Sequence, residues 1–175
     1  MVRFPMPKTG WKRQGVARWL PVAKFTISKR AAGMKKILLV EDNPGDADLA
    51  RLAFETAEID CEIRLAESGE KALEIATEFA NSASAWAPDL VLLDLKLPMM
   101  TGHEVLRRLK EDETLRRIPV IALSSSAAAE DIELSYDLSV NGYIQKPINM
   151  AGFVEVAKSI ADFWLTMAKL PDLAR

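Results

Sequence analysis

Asp89-Leu90-Val91-Leu92-Leu93-Asp94 sets four large apolar residues in a row between two carboxylates. A short, unbroken apolar run of this kind fits a β-strand buried on both faces, as in a parallel sheet covered by helices on each side. Two more runs have the same design. Lys36-Ile37-Leu38-Leu39-Val40 stops at Glu41-Asp42, and Ile118-Pro119-Val120-Ile121-Ala122-Leu123 stops at Ser124. In open parallel sheets the ligand site lies outside the carboxyl ends of the strands. The three runs therefore gather Glu41, Asp42, Asp94 and Ser124 at one edge.

Helical patterns fill the intervals. Asn43-Pro44 supplies an N-cap and a proline at the first helical position, and Leu49, Leu52, Ala53 and Thr56 space one face of the helix that follows. Cys61, Ile63 and Leu65 alternate with Glu62 and Arg64, as in a half-exposed edge strand. A second helix is expected over Gly69–Asn81, followed by a small-residue loop or frayed helix end over 81–87. Thr101 and Glu104 have the spacing of a capping box, and behind it Val105, Leu106 and Leu109 turn inward. The fourth strand is expected at 118–123, a weak alanine-rich helix at 127–139, and a short strand at Gly142–Gln145. A long helix begins after Asn149, with Phe153, Val156, Ala157, Ile160, Trp164 and Met167 on its apolar stripe. Five βα units with right-handed crossovers make a doubly wound α/β fold.

Composition narrows the function classes. Of 175 residues 49% are hydrophobic and 27% charged, as in a soluble globular protein. The longest apolar runs fall far short of the roughly 20 residues of a membrane span. The lone Cys61 excludes an intramolecular disulfide framework and a cysteine metal cage and reads as a small strand residue. The net charge of −2 conceals an asymmetry: residues 1–33 hold eight of the 23 basic residues and none of the 25 acidic ones, leaving the remainder at −10. An acidic body argues against a nucleic-acid-binding surface. The basic segment 1–33 is interrupted by Pro5, Pro7, Gly10, Gly15, Pro21 and Gly33 and is expected to be a disordered extension ahead of a domain spanning 34–175.

The acid edge carries the chemistry. Carboxylates at adjacent strand ends repel each other unless a cation joins them. Glu41, Asp42 and Asp94 offer hard oxygens of the kind that suit Mg²⁺ together with phosphate oxygens. Lys146, at the end of the last short strand and before Pro147, brings an ammonium to the same edge, and the Ser124 hydroxyl can donate to a phosphoryl oxygen. These parts fit phosphoryl transfer, which depends mostly on positioning and charge neutralisation, with a carboxylate as nucleophile.

The set Glu41-Asp42, Asp94-Leu95-Lys96-Leu97-Pro98-Met99-Met100-Thr101-Gly102, Ser124 and Lys146-Pro147 resembles the receiver domain of bacterial two-component response regulators over about residues 35–168. The resemblance implies a flavodoxin-like sheet of order 2-1-3-4-5. It implies that Asp94 accepts a phosphoryl group from a histidine kinase, and that the chain catalyses only its own phosphorylation and dephosphorylation. Asp42 would bind Mg²⁺ directly, Glu41 through water, and Lys96 through its backbone carbonyl. Ser124 would move toward the phosphoryl group, Lys146 would pair with it, and Lys146–Pro147 would be a cis bond. Tyr143 would act as a switch, reporting phosphorylation to the face made by the fourth helix, fifth strand and fifth helix. Lys96 and Ser126 stand where family members tune dephosphorylation. His103, the single histidine, lies outside the acid cluster and reads as a surface residue.

No output segment follows, so the expectation is a single-domain, cytoplasmic regulator. Val40-Glu41-Asp42-Asn43-Pro44 with Asp46-Ala47, Leu109-Lys110 leading to Arg116-Arg117-Ile118-Pro119, Asn141-Gly142-Tyr143 and Phe163-Trp164 are similar to the small regulators paired with bacterial phytochrome kinases. That likeness implies a phytochrome-type partner and a homodimer through the 4-5-5 face, with Trp164 and Met167 in the interface. Three rivals stand beside it. A haloacid-dehalogenase-type phosphatase needs a carboxylate where Lys96 stands. A nucleotide-binding enzyme needs a glycine-rich loop after the first strand. A degenerate receiver, binding partners without phosphorylation, would lack one of the site residues present here.

Overall fold

The computed structural model describes residues 34–81 and 86–171; the basic segment 1–33 and residues 82–85, in the expected loop, lie outside the described residues. Five strands, β1 (Lys35–Val40), β2 (Cys61–Ala66), β3 (Leu90–Leu93), β4 (Val120–Ser124) and β5 (Gly142–Gln145), form one sheet of order β2-β1-β3-β4-β5. Every pairing is parallel. The helices are α1 (Pro44–Thr56), α2 (Gly69–Asn81), α3 (Gly102–Glu111), α4 (Ala129–Asp137) and α5 (Met150–Ile160).

The apolar runs are buried because side chains alternate between two helix layers. Leu38, Val40, Val91, Leu93, Val120 and Ala122 point to one side, against Ile75 and Phe79 of α2 and Val105, Leu106 and Leu109 of α3. Ile37, Leu39, Leu90, Leu92, Ile121 and Leu123 point to the other, against Ala50 and Phe54 of α1 and Phe153, Ala157 and Ile160 of α5. β3 and β4 are buried throughout, whereas β2 is half-buried along most of its length, as an edge strand should be.

The caps form as the sequence indicates. Asn43 Oδ1 accepts from Gly45 N at 2.9 Å and Asp46 N at 3.2 Å, with Pro44 opening α1. Thr101 and Glu104 complete the capping box of α3. The α4 helix is as weakly held as expected: Ser135 is its buried residue and Ala128 at its N-cap offers no side-chain bond.

Two apolar faces differ from expectation. The buried face of α1 is Ala47, Ala50, Ala53 and Phe54, while Leu52 is 50% exposed. Small alanines let α1 approach the sheet closely, so the helix turns them inward, while Leu49 packs at the margin of that core and Leu52 points to solvent. At the far end, α5 passes into a π-helical segment, Ala161–Met167. The wider i→i+5 turn rotates the stripe, leaving Trp164 half-buried and Met167 63% exposed.

Lys110 pins the crossover from α3 to β4. Its Nζ donates to Ile118 O at 2.9 Å, Asn141 Oδ1 at 3.0 Å and Arg116 O at 3.4 Å. Burial pushes the ammonium down from 10.5 to about 8. Between those values the unfolded chain holds more protons than the folded one, so this group makes stability rise with pH. Wild-type unfolding free energy measured by denaturant titration should therefore gain on that of Lys110→Met as pH is raised from 8 to 10.5, and run parallel to it below pH 8.

Candidate functional site

Four strand ends and one helix cap build the site. Glu41 follows β1, is 3% exposed, and is tied to β2 by its N–H donating to Ala66 O at 3.0 Å. Its Oε1 accepts from Asn43 N at 3.2 Å, which joins the acidic turn to the cap of α1. Asp94 follows β3, is 6% exposed, and donates its N–H to Val40 O of β1 at 3.0 Å. Lys146 follows β5 and donates its N–H to Ser124 O at 2.8 Å. The sheet register thus brings the ends of β1, β3, β4 and β5 to a single edge.

At that edge the Lys146 ammonium lies among three carboxylates. Nζ is 2.6 Å from Glu41 Oε2, 2.7 Å from Asp94 Oδ2 and 2.9 Å from Asp46 Oδ2. Burial alone would lower its pKa, but the bonds to Asp94, Glu41 and Asp46 outweigh it and hold the ammonium protonated well above the usual lysine range. Burial raises Glu41, with the Lys146 bond opposing it. Asp94 Oδ1 is engaged separately, accepting from Lys96 N at 3.0 Å.

With all groups ionised, Glu41, Asp42, Asp46 and Asp94 outnumber the one lysine by three charges. Ligand oxygens of Glu41, Asp42 and Asp94 lie within 4.8 Å of one another. Hard anionic oxygens in excess of their counter-charge fit a divalent cation. Among the described residues these three are the group with metal-ligand spacing.

The start of α3 is packed onto the Asp94 main chain. Gly102 N donates to Leu95 O at 3.1 Å, and a Cβ at Gly102 would collide with the Asp94 carbonyl oxygen and come within 2.5 Å of Leu95 Cα. Backbone cannot yield as a flexible side chain can, so only glycine fits. This is the physical reason for the Asp94-to-Gly102 spacing.

Ser124, fully buried, ends β4 at this edge and accepts from Ser126 N through Oγ at 3.3 Å. Tyr143 on β5 is half-buried, and its hydroxyl donates to Ser126 O at 3.0 Å. The Lys96 side chain is exposed, and its contact with Asp94 is made by the backbone N–H. The expected cis bond at Lys146–Pro147 is a correction: no peptide bond among the described residues is cis. The trans form is the ordinary one, and the chain turns into α5 through Asn149, whose Oδ1 accepts from Gly152 N at 2.9 Å. His103 stands away from the acid cluster but is half-buried: its Nε2 lies 3.0 Å from Ser135 Oγ and 3.3 Å from Asp131 O. Asp46 is the site residue that the sequence reading missed. Asn43-Pro44 fixes the helix start and places Asp46 in its first turn, but its reach to Lys146 follows from the direction in which α1 leaves the cap.

Lys146→Met should lower stability by about 3 kcal/mol in metal-free denaturant unfolding, because it leaves buried carboxylates without their cation. Added Mg²⁺ should then stabilise this variant more than wild type. An equal metal effect in both proteins would show that ammonium and metal do not share this charge.

Residues 37–158 match the response regulator receiver domain. Over 137 residues the chain is 36% identical to the response regulator Rcp1 of Synechocystis sp., covering 78% of this chain and 93% of that protein. Among solved structures, the phosphorylated cyanobacterial phytochrome response regulator RcpA superposes with a TM-score of 0.71 at 42% identity, covering 79% of this chain and 99% of that one. The Mn²⁺-bound form of Rcp1 superposes with a TM-score of 0.71 at 36% identity and the same coverage.

Proposed function

Because the chain belongs to the response regulator receiver domain family, we propose that it takes a phosphoryl group from a histidine kinase onto Asp94 and returns to its starting form by hydrolysis. The observation that carries this reading is the buried Asp94 carboxylate, held by Lys146 Nζ at 2.7 Å within an edge of excess negative charge. A lone strand-end aspartate has no need of a buried ammonium and three further carboxylates. As a phosphoacceptor, it uses the ammonium and the metal-binding carboxylates Glu41 and Asp42.

In this reading a carboxylate oxygen of Asp94 attacks the phosphorus of a phosphohistidine. An O–P bond forms as the N–P bond breaks, and the imidazole leaves with its electron pair. Asp42, Asp94, the Lys96 carbonyl and, through water, Glu41 would hold Mg²⁺, which would supply neutralisation of the phosphoryl oxygens. Lys146, already aimed at Asp94 Oδ2, pairs with a phosphoryl oxygen, and Ser124 donates its hydroxyl to another. The Lys96 N–H fixes Oδ1 and so orients the carboxylate. Water later attacks the phosphorus, the acyl phosphate O–P bond breaks, and Asp94 is restored as carboxylate with inorganic phosphate released.

The kinase partner is proposed to be of the phytochrome type, on the strength of the RcpA and Rcp1 likeness. The receiver unit is taken as residues 34–175, preceded by the basic extension 1–33, and acts in the cytoplasm. Among the described residues no helix is long and apolar enough to cross a membrane. The output surface is the α4–β5–α5 face, with Ser124 and Tyr143 as switch residues, and a homodimer through that face would use Trp164 and the exposed Met167.

Intact mass after incubation with a small phosphodonor and Mg²⁺ tests the reading. Wild type should gain one phosphoryl group, and Asp94→Asn should gain none. An adduct on the variant, or none on wild type with either a small donor or a phosphorylated kinase, would overturn it.

A further inference from the structure

A ring of hydrogen bonds closes around the turn from β1 into α1. Glu41 Oε1 accepts from Asn43 N at 3.2 Å, and Asn43 Oδ1 accepts from Asp46 N at 3.2 Å. Lys146 Nζ donates to Asp46 Oδ2 at 2.9 Å, and the same ammonium lies 2.6 Å from Glu41 Oε2. Asp46 is thus fixed twice, its backbone by the Asn43 cap and its carboxylate by the ammonium. It stands in the first turn of α1, where a helix favours an acidic side chain.

The three carboxylates around Lys146 differ in what else they do. Glu41 and Asp94 belong to the group with metal-ligand spacing, and Asp46 does not. Asp94 Oδ1 also accepts from Lys96 N, and Glu41 Oε1 from Asn43 N. The Asp46 carboxylate has Lys146 as its hydrogen-bond partner among the described residues. It is also the most open of the three, its side chain 36% exposed against 3% for Glu41 and 7% for Asp94.

We propose that Asp46 is a positioning residue for phosphoryl transfer: it holds the Lys146 ammonium in reach of Asp94 while the other two carboxylates serve the metal and the phosphoryl group. The inference rests on the reading of Asp94 as phosphoacceptor. Once Asp94 carries a phosphoryl group it is an acyl phosphate and no longer a free carboxylate, so its contact with Nζ loses its charge. A cation shared with Glu41 draws charge from the second contact as well. An ammonium has three N–H donors. The donor that Asp94 gives up turns to a phosphoryl oxygen, and Asp46 keeps another where it is. Without that anchor the four-carbon side chain regains rotamers that it must give up again to meet the phosphoryl oxygen. Asp46 also sets a negative charge near an anionic ligand, but water screens the repulsion from a carboxylate this exposed, and the contact outweighs it.

The test is a calorimetric titration of the full chain with beryllofluoride, a phosphoryl mimic, at Mg²⁺ saturating for each variant. Asp46→Ala should bind about fivefold more weakly than wild type, the worth of one charge-assisted hydrogen bond to a partly exposed group. Asp46→Ser, too short to reach Nζ but suited to the start of a helix, should match it, which separates loss of the contact from a folding defect. Asp46→Asn keeps an oxygen for Nζ and should stay within about twofold of wild type. In metal-free denaturant unfolding, Asp46→Ala should lower stability in the wild-type background and not in Lys146→Met, which identifies the ammonium as the group it acts through. Unchanged beryllofluoride affinity in Asp46→Ala, with that stability coupling intact, would confine Asp46 to the resting site and overturn the inference. Tighter binding in both Asp46→Ala and Asp46→Asn would make Asp46 a source of repulsion and overturn it equally. A wild type that itself fails to bind overturns the phosphoacceptor reading, and the anchoring role with it.

Discussion

A single ammonium surrounded by carboxylates organises this molecule. Lys146 Nζ touches Glu41, Asp46 and Asp94, and these residues come from the end of β1, the first turn of α1 and the end of β3. The contact therefore ties the last strand to the first and third across the edge of the sheet. Buried charges of this kind are tolerable only when paired with good geometry. The pairing also leaves an excess of negative charge, which fits the edge for a divalent cation. One interaction thus holds the strand ends together and leaves them with uncompensated negative charge.

Much of this was legible in the sequence because it is written in short-range patterns. The unbroken apolar runs at 37–40, 90–93 and 120–123 gave parallel strands, and the polar residue ending each run gave the site edge. Alternation through Cys61–Leu65 identified the edge strand, and Thr101 with Glu104 identified the start of α3. The misses have physical causes. Asp46 belongs to the site because of the direction in which α1 leaves its cap, which spacing alone does not convey. The inward face of α1 is built from three alanines and Phe54, so a reading weighted by side-chain size found Leu49 and Ala53 but also placed the exposed Leu52 there. Met167 left the expected stripe because the helix widens at its end. The junction at Ser126 depends on loop conformation, for which Ser124-Ser125-Ser126-Ala127 has no periodic signal.

Rigid and yielding parts are cleanly divided. The strands, α2, α3 and α5 are anchored by large buried side chains, whereas α4 is anchored mainly by polar contacts at Asp131 and Ser135. A helix held by a few hydrogen bonds can shift with the loss of any one, while a helix held by leucines cannot. The part of the described structure that is least committed is therefore α4, beside β5 and Tyr143.

The strand order bears on how the chain acquires its structure during synthesis. β1 lies between β2 and β3, and the bond from Lys36 N to Asp89 Oδ2 spans 53 residues of sequence. As the chain emerges, β1 can pair with β2 and receive α1 on one side, but its other edge stays open until β3 is made. Pairings this distant slow folding, and an unpaired apolar strand is adhesive while it waits. β1, buried from Ile37 to Val40, is thus the strand that depends longest on a partner not yet translated.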